Sequence, residues 1–147
     1  MKLRHFITII AAAIALLAIS PAGKAADFPK GSPAFKTNYA EALKAAEVSG
    51  KPLIVIFSAS WCGPCQANKK RVYPAAEVKL YHDKFVWAYL DADDEANIPA
   101  MQKFEVSGIP HIEFLDKTGE SLGHMAGGTS PEVFAQVLAE VSKLSTQ

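Results

Sequence analysis

The sequence predicts one α/β domain built on a central β-sheet, and two features carry that prediction. The first is Pro52-Leu53-Ile54-Val55-Ile56-Phe57, an unbroken apolar and β-branched run. Such runs mark strands buried on both faces and usually paired in parallel. The second is the alternating stretch His111 to Leu115, followed by Asp116-Lys117-Thr118-Gly119 and a further run from Glu120 to Met125. Alternation, turn and return read as a hairpin.

The remaining elements fall between these anchors. Asn38 to Val48 places Tyr39, Ala42, Leu43 and Ala46 at amphipathic-helix spacing, with Gly50 at its end. Ser58 to Cys62 forms a loop after the apolar strand, and a helix starts near Cys62 and continues through Val72. Pro74 breaks it, because proline supplies no interior N–H; Ala75 to His82 is a second helical piece. Phe85 to Leu90 is the next strand, closing at Asp91, and Asn97 to Phe104 the next helix. Ser130, with Pro131 behind it, caps a terminal amphipathic helix bearing Val133, Phe134, Val137, Leu138 and Val141. The expected order is α-β-α-β-α-β-β-α.

Composition narrows the function. The 147 residues are half apolar and carry 15 basic against 15 acidic side chains, enough for one core and too balanced for disorder. Lys2 and Arg4 precede an uncharged apolar stretch, Phe6 to Ile19, followed by Ser20, Pro21 and small residues up to Ala25. That is the layout of a signal peptide spanning residues 1–25, cleaved near Ala25-Ala26. The domain is then 26–147, with a secreted or periplasmic location. An uncleaved anchor is the other reading, and the apolar stretch is short for a membrane span. Removing the leader takes away three basic residues and no acidic one, leaving 12 against 15 and a net charge of −3. Such a chain has no electrostatic basis for binding nucleic acid.

There are only two cysteines, in Trp61-Cys62-Gly63-Pro64-Cys65. A bridge between them closes too short a loop to add much chain-entropy stability. Zinc usually wants four ligands, and no second CxxC supplies them, so no metal is expected. A cysteine at a helix N-terminus instead meets unpaired N–H groups and the positive end of the helix dipole, which favour the thiolate. Cys62 is therefore the expected nucleophile. Cys65, one turn inside, is placed to resolve a mixed disulfide. Pro64 suits the first turn, and Gly63 leaves room for a partner chain. Gly108-Ile109-Pro110 precedes the hairpin; Pro110 either opens an edge strand or follows a cis bond.

Phe57-x-Ala59-x-Trp61-Cys62-Gly63-Pro64-Cys65, Val106-x-Gly108-Ile109-Pro110 and Asp116-x-x-Gly119-Glu120 together resemble the thioredoxin family, from about Asn38 to the C-terminus. The resemblance implies a thioredoxin fold, a central mixed β-sheet flanked by helices on both faces. It implies a cis Ile109–Pro110 bond beside the two sulfurs and substrate pairing along the backbone of Ile109. Trp61 would wall the site, and Gly127 would complete the substrate groove. The break at Pro74 and the leader look closer to periplasmic thioredoxin-like domains, such as the C-terminal domain of the transmembrane thiol–disulfide interchange protein.

Two positions depart from the family. Ile56 stands where the archetype has a buried aspartate, and Tyr89 where it has a lysine; Glu113 or a water are candidates to replace the acid. His111, just after Pro110, is expected to face solvent or a backbone carbonyl, the other reading being a place near the sulfurs where it would favour the thiolate or sense pH; His124 is expected to lie on the hairpin surface. Asp91 to Glu95 reads as a solvated loop, while Met101, Phe104 and Phe134 read as core. The expected function is an exported enzyme, a thiol–disulfide oxidoreductase that reduces protein disulfides with no cofactor beyond the Cys62–Cys65 pair. A monomer served by a membrane electron relay is the expected setting. A disulfide oxidase or isomerase of the same fold is the first alternative, and a groove-binding or chaperone-like module with an idle cysteine pair the second.

Overall fold

Helix capping and strand burial in the computed structural model follow the local chemistry closely. The described residues are 27–145, so the expected signal peptide and its cleavage point lie outside them. Among the described residues, no helix is long and apolar enough to cross a membrane.

Five strands form one sheet: β1 Phe35–Lys36, β2 Leu53–Ser58, β3 Val86–Asp91, β4 His111–Leu115 and β5 Ser121–Ala126. Their order is β1-β3-β2-β4-β5. β1 and β2 both run parallel to β3, whereas β4 runs antiparallel to β2 and β5 antiparallel to β4. All six residues of β2 are buried, the outcome its unbroken apolar sequence requires. β1 is absent from the expected order, because two residues are too few to display any periodicity.

The helices are α1 Tyr39–Ser49, α2 Gly63–Arg71, α3 Ala76–Lys79, α4 Ile98–Lys103 and α5 Pro131–Leu144. Asn38 opens α1 by accepting the Glu41 N–H at 3.0 Å, and Gly50 closes it at φ 70°, a left-handed position that disfavours other residues. Ser130 accepts the Val133 N–H at the start of α5. α2 ends at Arg71, before Pro74, and the chain re-enters helix at Ala76. The second helical piece is shorter than expected. α3 stops at Lys79, and a 3₁₀ turn at His82–Lys84 completes the passage to β3. A 3₁₀ turn at Glu95–Asn97 similarly leads into α4.

Alternation along the strands divides the core in two. Ile54, Ile56, Trp87, Ile112 and Phe114 pack with Tyr73, Val78, Phe134 and Leu138 on the face covered by α3 and α5. Leu53, Val55, Phe57, Leu90 and Leu115 pack with Ala42, Ala46 and Ala100 on the face of α1 and α4. The β4–β5 pairing slips at Phe114/Leu115, and Gly123 sits nearby at φ 138°, the signature of a bulge at the sheet's edge. Phe28, before β1, packs its ring 4.4 Å from Phe35 and 5.1 Å from Tyr89. The lead into the domain is thereby tied to the core.

Candidate active site

β2 runs directly into the cysteine motif, so the most buried strand of the sheet fixes where the motif sits. Cys62 is the N-cap of α2 and accepts the Cys65 N–H on its Sγ at 3.3 Å. The Gln66 N–H bonds the Cys62 carbonyl at 3.0 Å and closes the first turn. The two cysteines are joined as a disulfide with Cα atoms 5.2 Å apart. Cys65 is 1 % exposed and Cys62 5 %, so Cys65 is the deeper of the two. Lys69, Lys70 and Arg71 crowd the last turn of α2, where positive charge complements the helix dipole. Pro64 lies in the first turn, and the space that a side chain at Gly63 would fill is open.

The α4–β4 loop supplies the facing wall. The Ile109–Pro110 peptide bond is cis. The Ile109 carbonyl oxygen lies 3.8 Å from Cys62 Sγ, and Ile109 packs against Ala59, Cys62 and Cys65. Gly127, at φ 85°, donates its N–H to the Pro110 carbonyl at 2.8 Å. Asn68 of α2, itself buried, donates to the Gly127 carbonyl at 3.3 Å and accepts the Thr129 N–H at 3.1 Å. Asn68 therefore clamps the glycine loop onto the helix that carries the cysteines. The structure brings Cys62, Cys65, Ile109, Pro110, Pro64 and Gly127 into one constellation. Beyond Ile109, Pro110 and Gly127, the surface continues as a cleft of about 520 Å³ floored by His111 and Glu113.

Trp61, the residue before Cys62, has 69 % of its surface exposed and donates its indole N–H to Asp93 Oδ2 at 2.8 Å. An exposed ring costs side-chain freedom to hold in place, so this charge-assisted bond sets its orientation. Asp93→Ala is expected to lower kcat/KM for protein disulfides a few-fold, mainly through KM, with thermal stability unchanged. Steady-state kinetics beside a melting curve check this. An unaltered KM would show that the tether is immaterial.

One histidine expectation needs correction and the other holds. His111 faces neither solvent nor a carbonyl: it is buried, donates or accepts at 2.8 Å with Glu113 Oε2, and stacks on the His124 ring at 5.0 Å between centroids. His124 lies on the hairpin surface, and that stacking is its added role. Glu113 also accepts from the Ser121 hydroxyl. Because Ile112 and Phe114 point to the α3/α5 face, Glu113 points to the other, away from Ile56. It is therefore not a replacement for the family's buried acid. Beside Ile56, the polar groups are the Ser58 and Tyr89 hydroxyls, which bond each other.

In the Asp91–Glu95 loop, Asp91 accepts the Asp93 N–H and Asp94 the Ala96 N–H, while the Asp93 carboxylate holds the Trp61 indole. Among the described residues, no group of three or more His, Cys, Asp or Glu side chains could hold a metal ion. Asp93, Asn68 and the Ser58–Tyr89 pair escaped sequence reasoning. Only Asn68 left a local trace, as an amide on the inward face of a helix.

A mixed sheet whose central strand delivers a disulfide to a helix N-terminus, opposite a cis-proline loop, defines a class: domains built for dithiol–disulfide exchange. The chain belongs to the thioredoxin-like family, whose model matches residues 34–117, more than half of the sequence. It is 35 % identical over 98 residues to the chloroplastic thioredoxin-like protein HCF164 of Oryza sativa subsp. japonica, covering 67 % of this chain and 35 % of that protein. It is 29 % identical over 134 residues to the thiol:disulfide interchange protein TxlA of Synechococcus elongatus, covering 91 % of this chain and 69 % of that one. The solution structure of a Thermus thermophilus thioredoxin superposes with a TM-score of 0.67 at 27 % identity, covering 74 % of this chain and 87 % of that one. The chain thus spans about a third of the length of the HCF164 protein it matches.

Proposed function

We propose that the chain is an exported thiol–disulfide oxidoreductase that reduces disulfides in proteins, with residues 1–25 as its leader and 26–147 as the working domain. The observation that carries this reading is Cys62 at the N-cap of α2, its sulfur receiving an amide N–H and lying beside the Ile109 carbonyl. Amide hydrogen bonds and the dipole favour negative charge on that sulfur once the bridge is opened.

The chemistry takes two exchanges. The Cys62 thiolate attacks one sulfur of a substrate disulfide, forming a Cys62–substrate bond and expelling the other substrate sulfur as a thiolate. Cys65, as thiolate, then attacks Cys62 Sγ, releasing the second substrate thiolate, which takes up a proton, and re-forming the bridge. Two electrons pass from the cysteine pair to the substrate. An exported protein must regain them from a dedicated donor, because the cytosolic thiol pools do not reach it. A membrane electron relay meets that need. The Gly63-Pro64 dipeptide and Ile109 before Pro110 resemble the reducing members of the family.

The test of direction is the reduction potential of the Cys62–Cys65 pair, equilibrated against a defined thiol buffer, together with insulin disulfide reduction. A potential near the thioredoxin value of about −270 mV supports a reductase. A value near the DsbA value of about −120 mV makes the protein a donor of disulfides instead. Cell fractionation with N-terminal sequencing tests export: a cytosolic chain that keeps Met1 would overturn it.

A further inference from the structure

Ile56 leaves α2 without a carboxylate beneath it, and what stands there instead is a hydroxyl network. Ser58, the last residue of β2, is fully buried, and its hydroxyl bonds the Tyr89 phenol from β3. Gln66 lies near enough to the same phenol to act on its ionisation. Its amide also donates to the Ala59 carbonyl at 2.9 Å, the same oxygen that accepts the Cys62 N–H at 3.2 Å. From the second turn of α2, Lys69 Nζ lies 5.8 Å from the Tyr89 ring centroid. Tyr89 is thus held by the residue entering the motif, the residue leaving it, and the turn beyond. Burial pushes the Tyr89 phenol up, so it remains an O–H group across the range in which thiols titrate.

We propose that Tyr89 is a positioning residue for the redox pair: its bond to Ser58, beside the Gln66 side chain that holds the Ala59 carbonyl, fixes the first turn of α2 in the geometry the Cys62–Cys65 bridge requires, and so biases the pair toward the disulfide. The inference rests on the oxidoreductase reading of the site but not on the direction assigned to it. A buried hydroxyl that loses its only partner costs free energy in whichever state holds it buried. The network is complete in the bridged form; opening the bridge frees the Cys62–Gln66 turn from its covalent constraint, and the proposal therefore places the larger loss on the bridged form.

The experiment equilibrates the full chain with glutathione, in which two glutathione thiols are oxidised to one glutathione disulfide as the bridge opens to two thiols. Wild type, Tyr89→Phe, Ser58→Ala and the double variant are compared. Tyr89→Phe is expected to shift the equilibrium constant threefold to tenfold toward the dithiol, tenfold corresponding to about 30 mV. The double variant is expected to shift no further than the larger single one, since both remove the same bond. The melting temperature should fall more in the oxidised than in the reduced protein. An unchanged constant with equal losses in both states, or a shift toward disulfide, overturns the proposal. Ser58→Ala carries the same test if Tyr89→Phe fails to fold. Failure of the wild type to reduce insulin would instead count against the function, leaving this comparison intact.

Discussion

With Cys65 replaced by serine, the protein accumulates as covalent adducts of its substrates, visible as high-mass bands on non-reducing gels that collapse on adding a thiol. The reason is positional. Cys65 sits one turn inside α2, bridged to Cys62, and in the proposed mechanism it is the group that attacks Cys62 Sγ and releases the bound partner. A serine hydroxyl at ordinary pH does not attack a disulfide, so the first exchange proceeds and the second stops. Cys62→Ser has the opposite signature. No adduct forms, and turnover falls by roughly a thousandfold or more, the scale on which removal of a nucleophile acts. Both variants should fold, because a bridge across three positions contributes little by chain entropy. A binding module with an idle cysteine pair would behave alike in both variants, which makes the contrast between them decisive.

Glu113→Ala is expected to be the most damaging single change to stability outside the core hydrophobics, at about 3 kcal/mol. Glu113 and His111 are 3 % and 5 % exposed and bond each other across one pleat of β4. Removing the carboxylate strips His111 of its partner and leaves the Ser121 hydroxyl without its acceptor. It also enlarges the cleft that His111 and Glu113 floor. For a domain of this size the melting temperature should drop by roughly 10 °C. Glu113→Gln, which keeps an acceptor for Ser121, should lose less. Denaturant melts of the two variants check this; a cost below about 1 kcal/mol for alanine would mean that water replaces the carboxylate at little expense. Because Glu113 faces away from Ile56, the folded variants should retain thiol exchange.

What the sequence revealed was local. The Cys62 cap, the Asn38 and Ser130 caps, the Gly50 stop and the break at Pro74 each depend on residues within a turn or two, so their identities announce them. The buried run of β2 and the hairpin at Asp116 to Gly119 were legible for the same reason. The missed contacts join distant parts of the chain: Trp61 to Asp93, Asn68 to Gly127, Ser58 to Tyr89. Nothing near Asp93 distinguishes it from Asp91 or Asp94 as the holder of an indole. Glu113 was misjudged because a charged residue on an alternating strand has the same pattern whether it meets water or a buried histidine. Alternation sets Glu113 opposite Ile112 and Phe114, but only the β2–β4 register shows that this is the side away from Ile56. β1 was invisible, being defined by its pairing with Trp87 and Ala88 rather than by any pattern of its own.

The slipped register at Phe114/Leu115 and the positive φ of Gly123 have a consequence for how this protein meets other chains. β5 is the last strand of the sheet, so its outer row of N–H and C=O groups is free to recruit any extended segment that passes. A reductase working on partly unfolded partners would meet such segments constantly. A bulge bends the rim and sharpens its twist, so that it no longer presents the flat ladder that edge-to-edge aggregation needs as a template. Clients would then be captured through sulfur at one end of the sheet and discouraged from zipping onto its side, which keeps each encounter brief and reversible.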